Sequence, residues 1–512
     1  MQTLKRRLTW AALLVALGAT YAVSIQQLEF SLAELIQKSP RFFDLMGRMW
    51  PPRWDILPQI WKPLLETIRI AVLGTTLGAA VALPMMMLST RSVTRAWWLY
   101  YPARAVIGVL RSIPDLLYAA LFVAALGIGP VAGVPALTLF SIGIIAKLTS
   151  ESADNIDRGP VEALEATGAR RPAVVTFAVL PQVLPMFLSY SLYMFEINVR
   201  AATILAYVGA GGIGQNLITA LDWFDYPAAM TILIVIFGFV FLIDLISSRF
   251  RQAFVEGRDL TTAMKGGLGA TAVALMIWAV LSIDIDLQRV SEGLVYFGSM
   301  LTSMVQPAWQ HLPTAIAKMA ESIEIALLGT TVAALLAFPF GFLCARNLGI
   351  PSLGAYTIRQ APNAIRTFPE IILAIFLIAA FGPGPMAGVL ALGIHSIGMI
   401  SRLNYEIVET IDRGPLEALG ALGSAGVLRF RYAVLPQVIP EFLAIAIYRF
   451  EINVRAATVL GVVGAGGIGQ VIMDAVRQGR WNEVGVYMFV VLVSVMIIDY
   501  LSSISRRRLI EG

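Results

Sequence analysis

Phe195-Glu-Ile-Asn-Val-Arg-Ala-Ala-Thr203 recurs unchanged as Phe450-Glu-Ile-Asn-Val-Arg-Ala-Ala-Thr458. The offset is 255 residues, and it also places Trp54 on Trp309, Gly74 on Gly329, Glu151 on Glu406, Pro181 on Pro436 and Asp244 on Asp499 without a gap. From Ala178 to Gln215, 28 of 38 positions repeat, so residues 1–256 and 257–512 read as two copies of one unit. A duplication this close predicts a pseudo-two-fold arrangement whose function lies between the copies.

The surroundings of that stretch say where the unit resides. The chain of 512 residues is 58% hydrophobic and 14% charged, whereas a soluble domain carries roughly 25% charged residues. Too few charges are present to wet the whole surface, which points to lipid. A net charge of +5 is compatible with nucleic acid, but the basic residues fall between apolar segments, so none is expected as a partner. Cys344 is the single cysteine, which excludes a disulfide framework and a thiolate zinc site. The two histidines are not repeat partners, since His395 aligns with Phe140, and no metal site is expected.

A membrane helix needs ~20 mostly apolar residues. Six stretches qualify in the first copy: 8–26, 64–88, 104–127, 131–149, 183–207 and 228–248. Adding 255 gives six more. Lys5-Arg6-Arg7 before the first stretch resembles a signal peptide, but the repeat places Lys265 and an apolar run in mid-chain, so residues 8–26 are read as a retained helix. Arginines and lysines gather at the N-terminus, at Arg91, Arg95 and Arg104, at Arg158, Arg170 and Arg171, at Arg249, Arg251 and Arg258, and at Arg506 to Arg508. With six spans per copy these all fall on one side, which predicts cytoplasmic termini and parallel repeats. The long connections 27–60 and 284–314 carry Phe42, Phe43, Trp50, Trp54, Tyr296, Phe297 and Trp309. Aromatics of this kind suit interfacial helices or a ledge for an outside partner.

Between the fourth and fifth stretches stands Glu162-Ala-Leu-Glu-Ala-Thr-Gly168, followed after nine residues by Ala178-Val-Leu-Pro181. Its copy is Glu417-Ala-Leu-Gly-Ala-Leu-Gly423, nine residues, then Ala433-Val-Leu-Pro436. Pro160 suits a first helical position, Glu162 the positive end of the helix and Gly168 its exit. These residues resemble the EAA loop of bacterial ABC importer permeases, with Leu164, Leu419, Ala178 and Ala433 as departures. The resemblance implies that Glu162, Ala163 and Gly168, with Glu417, Ala418 and Gly423, dock two ATP-binding subunits.

A closer resemblance covers nearly the whole repeat. Arg111-Ser-Ile-Pro-Asp115, Gly127-Ile-Gly-Pro-Val-Ala-Gly133, Asp157-Arg-Gly-Pro160 and Glu196-Ile-Asn-Val-Arg200 with its glycine-rich sequel are similar to the phosphonate-import permeases. That family implies an all-α integral membrane fold, here twelve transmembrane helices as two parallel six-helix repeats of the MetI-like type. One fused chain would replace a permease dimer in the inner membrane. The family also implies an extracytoplasmic binding protein and phosphonate or a related phosphorus oxyanion as cargo. Methionine or a quaternary amine is the neighbouring possibility.

Acid–base pairs four residues apart fall inside the apolar stretches: Arg111/Asp115, Arg366/Glu370, Lys147/Glu151, Arg402/Glu406, Glu196/Arg200 and Glu451/Arg455. Each pair shares a helix face and can neutralise itself. A lone charge at the bilayer centre costs ~2.5–3.5 kcal/mol on the mildest scale, so these groups should face the interior. They are candidates for interhelical glue and for an anion path. Asn198 and Asn453, inside the span-five pairs, join Arg200 and Arg455 as path residues, because guanidiniums can hold an oxyanion bidentately. Glu196 and Glu451 would weaken that grip.

Gly209-Ala-Gly-Gly-Ile-Gly214 and Gly464-Ala-Gly-Gly-Ile-Gly469 match a dinucleotide pattern but follow a membrane helix instead of a strand, so a tight turn is expected. No phosphate-binding G-x-x-x-x-G-K-[ST] occurs. The chain should therefore carry no cofactor of its own and no ATPase site, with ATP and Mg bound by a partner. A gradient-driven transporter of twelve spans explains the topology as well, but not the duplicated loop.

Overall fold

The computed structural model describes residues 18, 20–28, 31–94, 96–255, 273–282, 286–345, 358–362, 364–365 and 368–511. These contain helices and no strand. The first repeat runs through α1 (Leu32–Arg48), α2 (Leu57–Ser89), α3 (Trp97–Ser112), α4 (Asp115–Leu126), α5 (Pro130–Asp154), α6 (Gly159–Ala166), α7 (Leu180–Leu205), α8 (Gly214–Asp222) and α9 (Tyr226–Val255). The second continues with α10 (Val273–Ser282), α11 (Leu287–Met304), α12 (Leu312–Cys344), α13 (Glu370–Phe381), α14 (Pro385–Thr410), α15 (Gly414–Ala421), α16 (Leu435–Leu460), α17 (Ile468–Arg477) and α18 (Trp481–Glu511).

Among the described residues, eight helices are long and apolar enough to cross a membrane. The pair α3 and α4 passes the same test only when joined, and it is bent by 88°, the geometry of a broken span or a re-entrant loop. The continuous span expected over 104–127 is therefore broken. Ile113 is extended (φ −89, ψ 123) ahead of Pro114, because proline excludes the helical conformation from the residue before it and has no N–H to give. Most of the first candidate span of each repeat, 8–17 and 263–272, lies outside the described residues, as does Arg366.

The compact units are not cut at the repeat boundary. One is Gly47–Val305; the other joins Met1–Met46 to Gln306–Gly512. In the first, α10 and α11 of the second repeat pack on helices of the first. Ala279 is buried against Val72 and Leu73, Arg69 lies over the Trp278 ring at 4.9 Å, and Phe122 stacks on Phe297 at 4.9 Å. In the other unit the N-terminal segment is received in the same way. Tyr21 hydrogen-bonds Thr331, and Lys38 on α1 donates to the Phe381 carbonyl at 3.0 Å. Each opening segment is thus lent to the bundle built by the other repeat. The aromatic connections form α1 and α11, with Phe43, Trp50 and Trp54 exposed.

Within each unit the tightest packing sets α2 on α5, or α12 on α14. A Cβ at Gly74 would lie 2.5 Å from Leu137 Cβ, and one at Gly78 would lie 2.4 Å from Ser141 Cβ. Small residues four apart let membrane helices approach where lipid supplies no hydrophobic drive. The hydroxyls on this face are satisfied by their own helix: Thr75 donates to the Ala71 carbonyl at 2.7 Å and Thr330 to the Ala326 carbonyl at 2.6 Å. An apolar solvent demands internal satisfaction of this kind.

Candidate permeation and coupling sites

The asparagines of the repeated nonapeptide tie three helices together. Asn198 Nδ2 donates to Thr75 Oγ1 at 2.8 Å and to Ser141 Oγ at 2.7 Å, joining α7 to α2 and α5. Asn453 repeats this with Thr330 at 2.8 Å and Ser396 at 3.0 Å. Both side chains are fully buried, so they act as polar pins inside each unit.

The charged pair beside each asparagine reaches further along the next helix. Arg200 Nη2 donates to Glu196 Oε1 at 2.8 Å, and Arg251 stands 3.1 Å from the other oxygen. In the second repeat, Arg455 donates to Glu451 Oε1 at 2.8 Å, while Ser502 and Arg506 donate to Oε2 at 3.0 and 3.2 Å. Asp244 and Asp499 act on Glu196 and Glu451 from the same helices. Each unit so holds two carboxylates and two guanidiniums in one knot. Arg251 is the last residue of the apolar stretch Tyr226–Arg251, so the knot binds α7 to the terminal turns of α9. The carboxylates are only 6% and 4% exposed, whereas Arg200 and Arg455 are 29% and 22% exposed. The guanidiniums are the open side of the pair. Sequence named Asp244 and Asp499 only as repeat partners and Arg251 and Arg506 only for the charge asymmetry, because their helices lie about fifty residues away from the pairs they join.

The remaining pairs separate. Lys147 and Glu151 meet at 2.7 Å, and Arg402 and Glu406 at 3.0 Å, all partly exposed. Asp115 accepts from the Leu116 amide at 2.8 Å within the first turn of α4, four residues beyond Arg111 at the bend. Glu370 opens α13 in the same way and stands 3.4 Å from His395 Nε2.

The glycine runs are tight turns. Gly209, Gly211 and Gly212 have φ of 90, 80 and 94, in the left-handed region that glycine alone enters cheaply. The turn is pinned to α2, since Glu66 Oε1 accepts from the Gly212 amide at 3.2 Å and Thr67 Oγ1 from the Ile213 amide at 2.9 Å. Glu321 and Ser322 serve the second run, each at 2.9 Å.

The short helices α6 and α15 bury no residue. Gly168 (φ 75) and Gly423 (φ 67) end them, and Glu162 and Glu417 stand in their first turns, followed by Ala163 and Ala418. Their entry is clamped: Gln182 accepts from the Asp157 amide at 3.1 Å and donates to its carbonyl at 3.2 Å. Gln437 does the same for Asp412 at 2.9 and 3.3 Å. α6 and α15 are thus two exposed, rigidly entered helices with matching acidic first turns.

The family is decided by comparison with known proteins. A model of the binding-protein-dependent transport system inner membrane component matches residues 74–285 and again 310–511. The chain belongs to this family. It is a multi-pass inner-membrane permease, and transport in this family depends on a binding protein. Over 95% of its length the permease is 36% identical to the phosphate-import permease protein PhnE of Mycolicibacterium smegmatis, and it covers 93% of that protein. Over 49% of its length it is 34% identical to the putative phosphite transport system permease protein HtxC of Stutzerimonas stutzeri, covering 88% of it. It is also 43% identical over 23% of its length to the putative cryptic phosphonate transport system permease protein PhnE2 of Escherichia coli, covering 98% of it.

Proposed function

We propose that the permease carries a phosphorus oxyanion, phosphonate, phosphite or phosphate, into the cell as the transmembrane part of an ATP-driven importer. The observation that carries this reading is similarity along 95% of the chain to a phosphate-import permease, with shorter relatives named for phosphite and phosphonate. In this reading the chain spans the membrane twelve times with both termini in the cytoplasm. Residues 1–256 and 257–512 supply the two halves of a permease dimer.

The exposed helices α6 and α15 support docking of two ATP-binding subunits, through Glu162, Ala163 and Gly168 and through Glu417, Ala418 and Gly423. ATP and Mg belong to those subunits, and the permease is not an enzyme. A binding protein delivers the anion at the outer face. Nucleotide-driven closure draws the two coupling helices together and opens the spans outward; hydrolysis resets them. Arg200 and Arg455, the open guanidiniums of the charged knots, guide the anion, with Asn198 and Asn453 holding their helices in place. Asp115, Glu370, Arg111 and Arg366 are further residues of the path.

Proteoliposomes holding the permease, its ATPase subunits and its binding protein test this. ATP-dependent uptake of labelled phosphate, phosphite or methylphosphonate is expected. Uptake that follows an ion gradient without ATP, or uptake of choline in place of every phosphorus compound, overturns the reading.

A further inference from the structure

Among the described buried positions at which the two repeats differ, one carries a charge. Arg449 on α16 stands where the first repeat has Met194, and His395 on α14 stands where it has Phe140. Arg449 is 4% exposed. Its Nε donates to Ser396 Oγ at 2.8 Å and its Nη1 to Met399 Sδ at 3.1 Å. Both acceptors are neutral, and among the described residues no carboxylate pairs with it. The acid that acts on it across space is Glu370, which stands 3.4 Å from His395 in the first turn of α13, just after Pro369.

The fold does not require a cation here. Met194 fills the same repeat position in the other unit and is fully buried. Replacing a buried charge by an apolar side chain of similar volume is often neutral or stabilising, so the guanidinium is retained at a cost. What it offers is unspent donors: a guanidinium carries five N–H groups in a fork that fits an oxyanion. The start of α13 adds to this, since the N-terminus of a helix is its positive end.

We propose that Arg449, beside the N-terminus of α13, is a one-sided binding station for the passing oxyanion, with no equivalent in the first repeat. Glu370 is the resident carboxylate near that cation, and the cargo exchanges against it. The station rests on the oxyanion reading given above. Ser396 links it to the repeated architecture, because its hydroxyl also accepts from Asn453 at 3.0 Å.

The test uses the complete importer in proteoliposomes and labelled inorganic phosphate. R449M, the residue of the first repeat, should cut uptake about tenfold or more while the chain still co-purifies with its ATPase subunits; R449K should fall between R449M and wild type, since it keeps a cation at that point but not the fork. Rescue by lysine is what a purely packing role would not give. Should R449M fail to assemble, R449M/E370Q removes both charges and must also lose uptake. Wild-type uptake by either assembled variant overturns the station, and so does failure of both to assemble, which assigns Arg449 to the fold. A wild-type importer that moves no phosphorus oxyanion overturns the functional reading instead.

Discussion

Arg171 donates from Nη1 to Glu165 Oε1 at 3.1 Å, tying the end of α6 to the segment that follows it. The same side chain donates to the Ser92 carbonyl at 2.9 Å and to the Val93 carbonyl at 3.1 Å. One guanidinium thus fastens α6 to the loop after α2. The second repeat has Gly420 and Gly426 at the two positions and cannot make the fastening. An Arg171→Ala change removes charge-assisted bonds worth about 1.5–3 kcal/mol each to the carbonyls. Amide hydrogen exchange over 159–168 should rise several-fold toward that of 414–423. Unchanged exchange would show that the Gln182 clamp alone sets the loop.

The same asymmetry bears on coupling. Glu162→Ala and Glu417→Ala remove equivalent first-turn acids from a braced helix and from one carrying Gly420, where glycine costs ~1 kcal/mol against alanine. Unequal losses of ATP-driven uptake are expected, the larger for Glu162→Ala. Equal losses would mean that the two halves couple equivalently.

The charged knots separate glue from path. Arg200→Gln with Arg455→Gln should greatly lower uptake while the binding protein keeps its affinity. Those changes also leave Glu196 and Glu451 short of one partner, so the control is the quadruple Glu196→Gln/Arg200→Gln/Glu451→Gln/Arg455→Gln variant. It removes charge in pairs and should still assemble yet transport poorly. Wild-type transport by it would leave the arginines as interhelical ties.

Packing makes a sharper claim at Gly214. A Cβ there would lie 1.9 Å from the Thr203 carbonyl oxygen, whereas one at Gly238 meets nothing within 4 Å. Gly214→Ala should destabilise by about 3 kcal/mol or more, read as a fall in the melting temperature of the purified complex. Gly238→Ala should leave it unchanged or slightly raised. A tolerated Gly214→Ala would show that the end of α7 can slide away from its turn.

The asparagine pins predict a smaller effect. Polar ties between membrane helices average ~0.6 kcal/mol and reach ~1.7. Asn198→Ala should fall near the upper limit, because it leaves both Thr75 and Ser141 without this partner. In a double-mutant cycle with Thr75→Val, the coupling should be about 0.5 kcal/mol or more; a cycle that closes to zero would remove the pin.

Sequence made the repeat legible because duplication writes every contact twice: the Asn198 and Asn453 bonds, the glycine turns and the Gln182 and Gln437 clamps recur at the same offset. The bend at Pro114 was also readable, since Ile-Pro-Asp states its own backbone, but apolar count alone ran through it. Arg251 was not legible as a partner of Glu196, because the two meet only when α9 folds back on α7. Nor was the exchange of opening segments. It depends on which bundle receives a helix, and two near-identical bundles present near-identical surfaces to it.

That exchange orders events in time. Tyr21 and Thr331 are separated by 310 residues. At ~5–20 residues per second, a ribosome takes about 15–60 s to make the second after the first. For that interval the opening segment has been made but its receiving helices have not, while the bundle that follows it is already being completed. It must be kept from docking on the wrong, earlier copy. The opening segment is thus housed only after most of the chain has followed it, and cutting the gene at the repeat boundary would leave each half-protein holding a helix that belongs to the other.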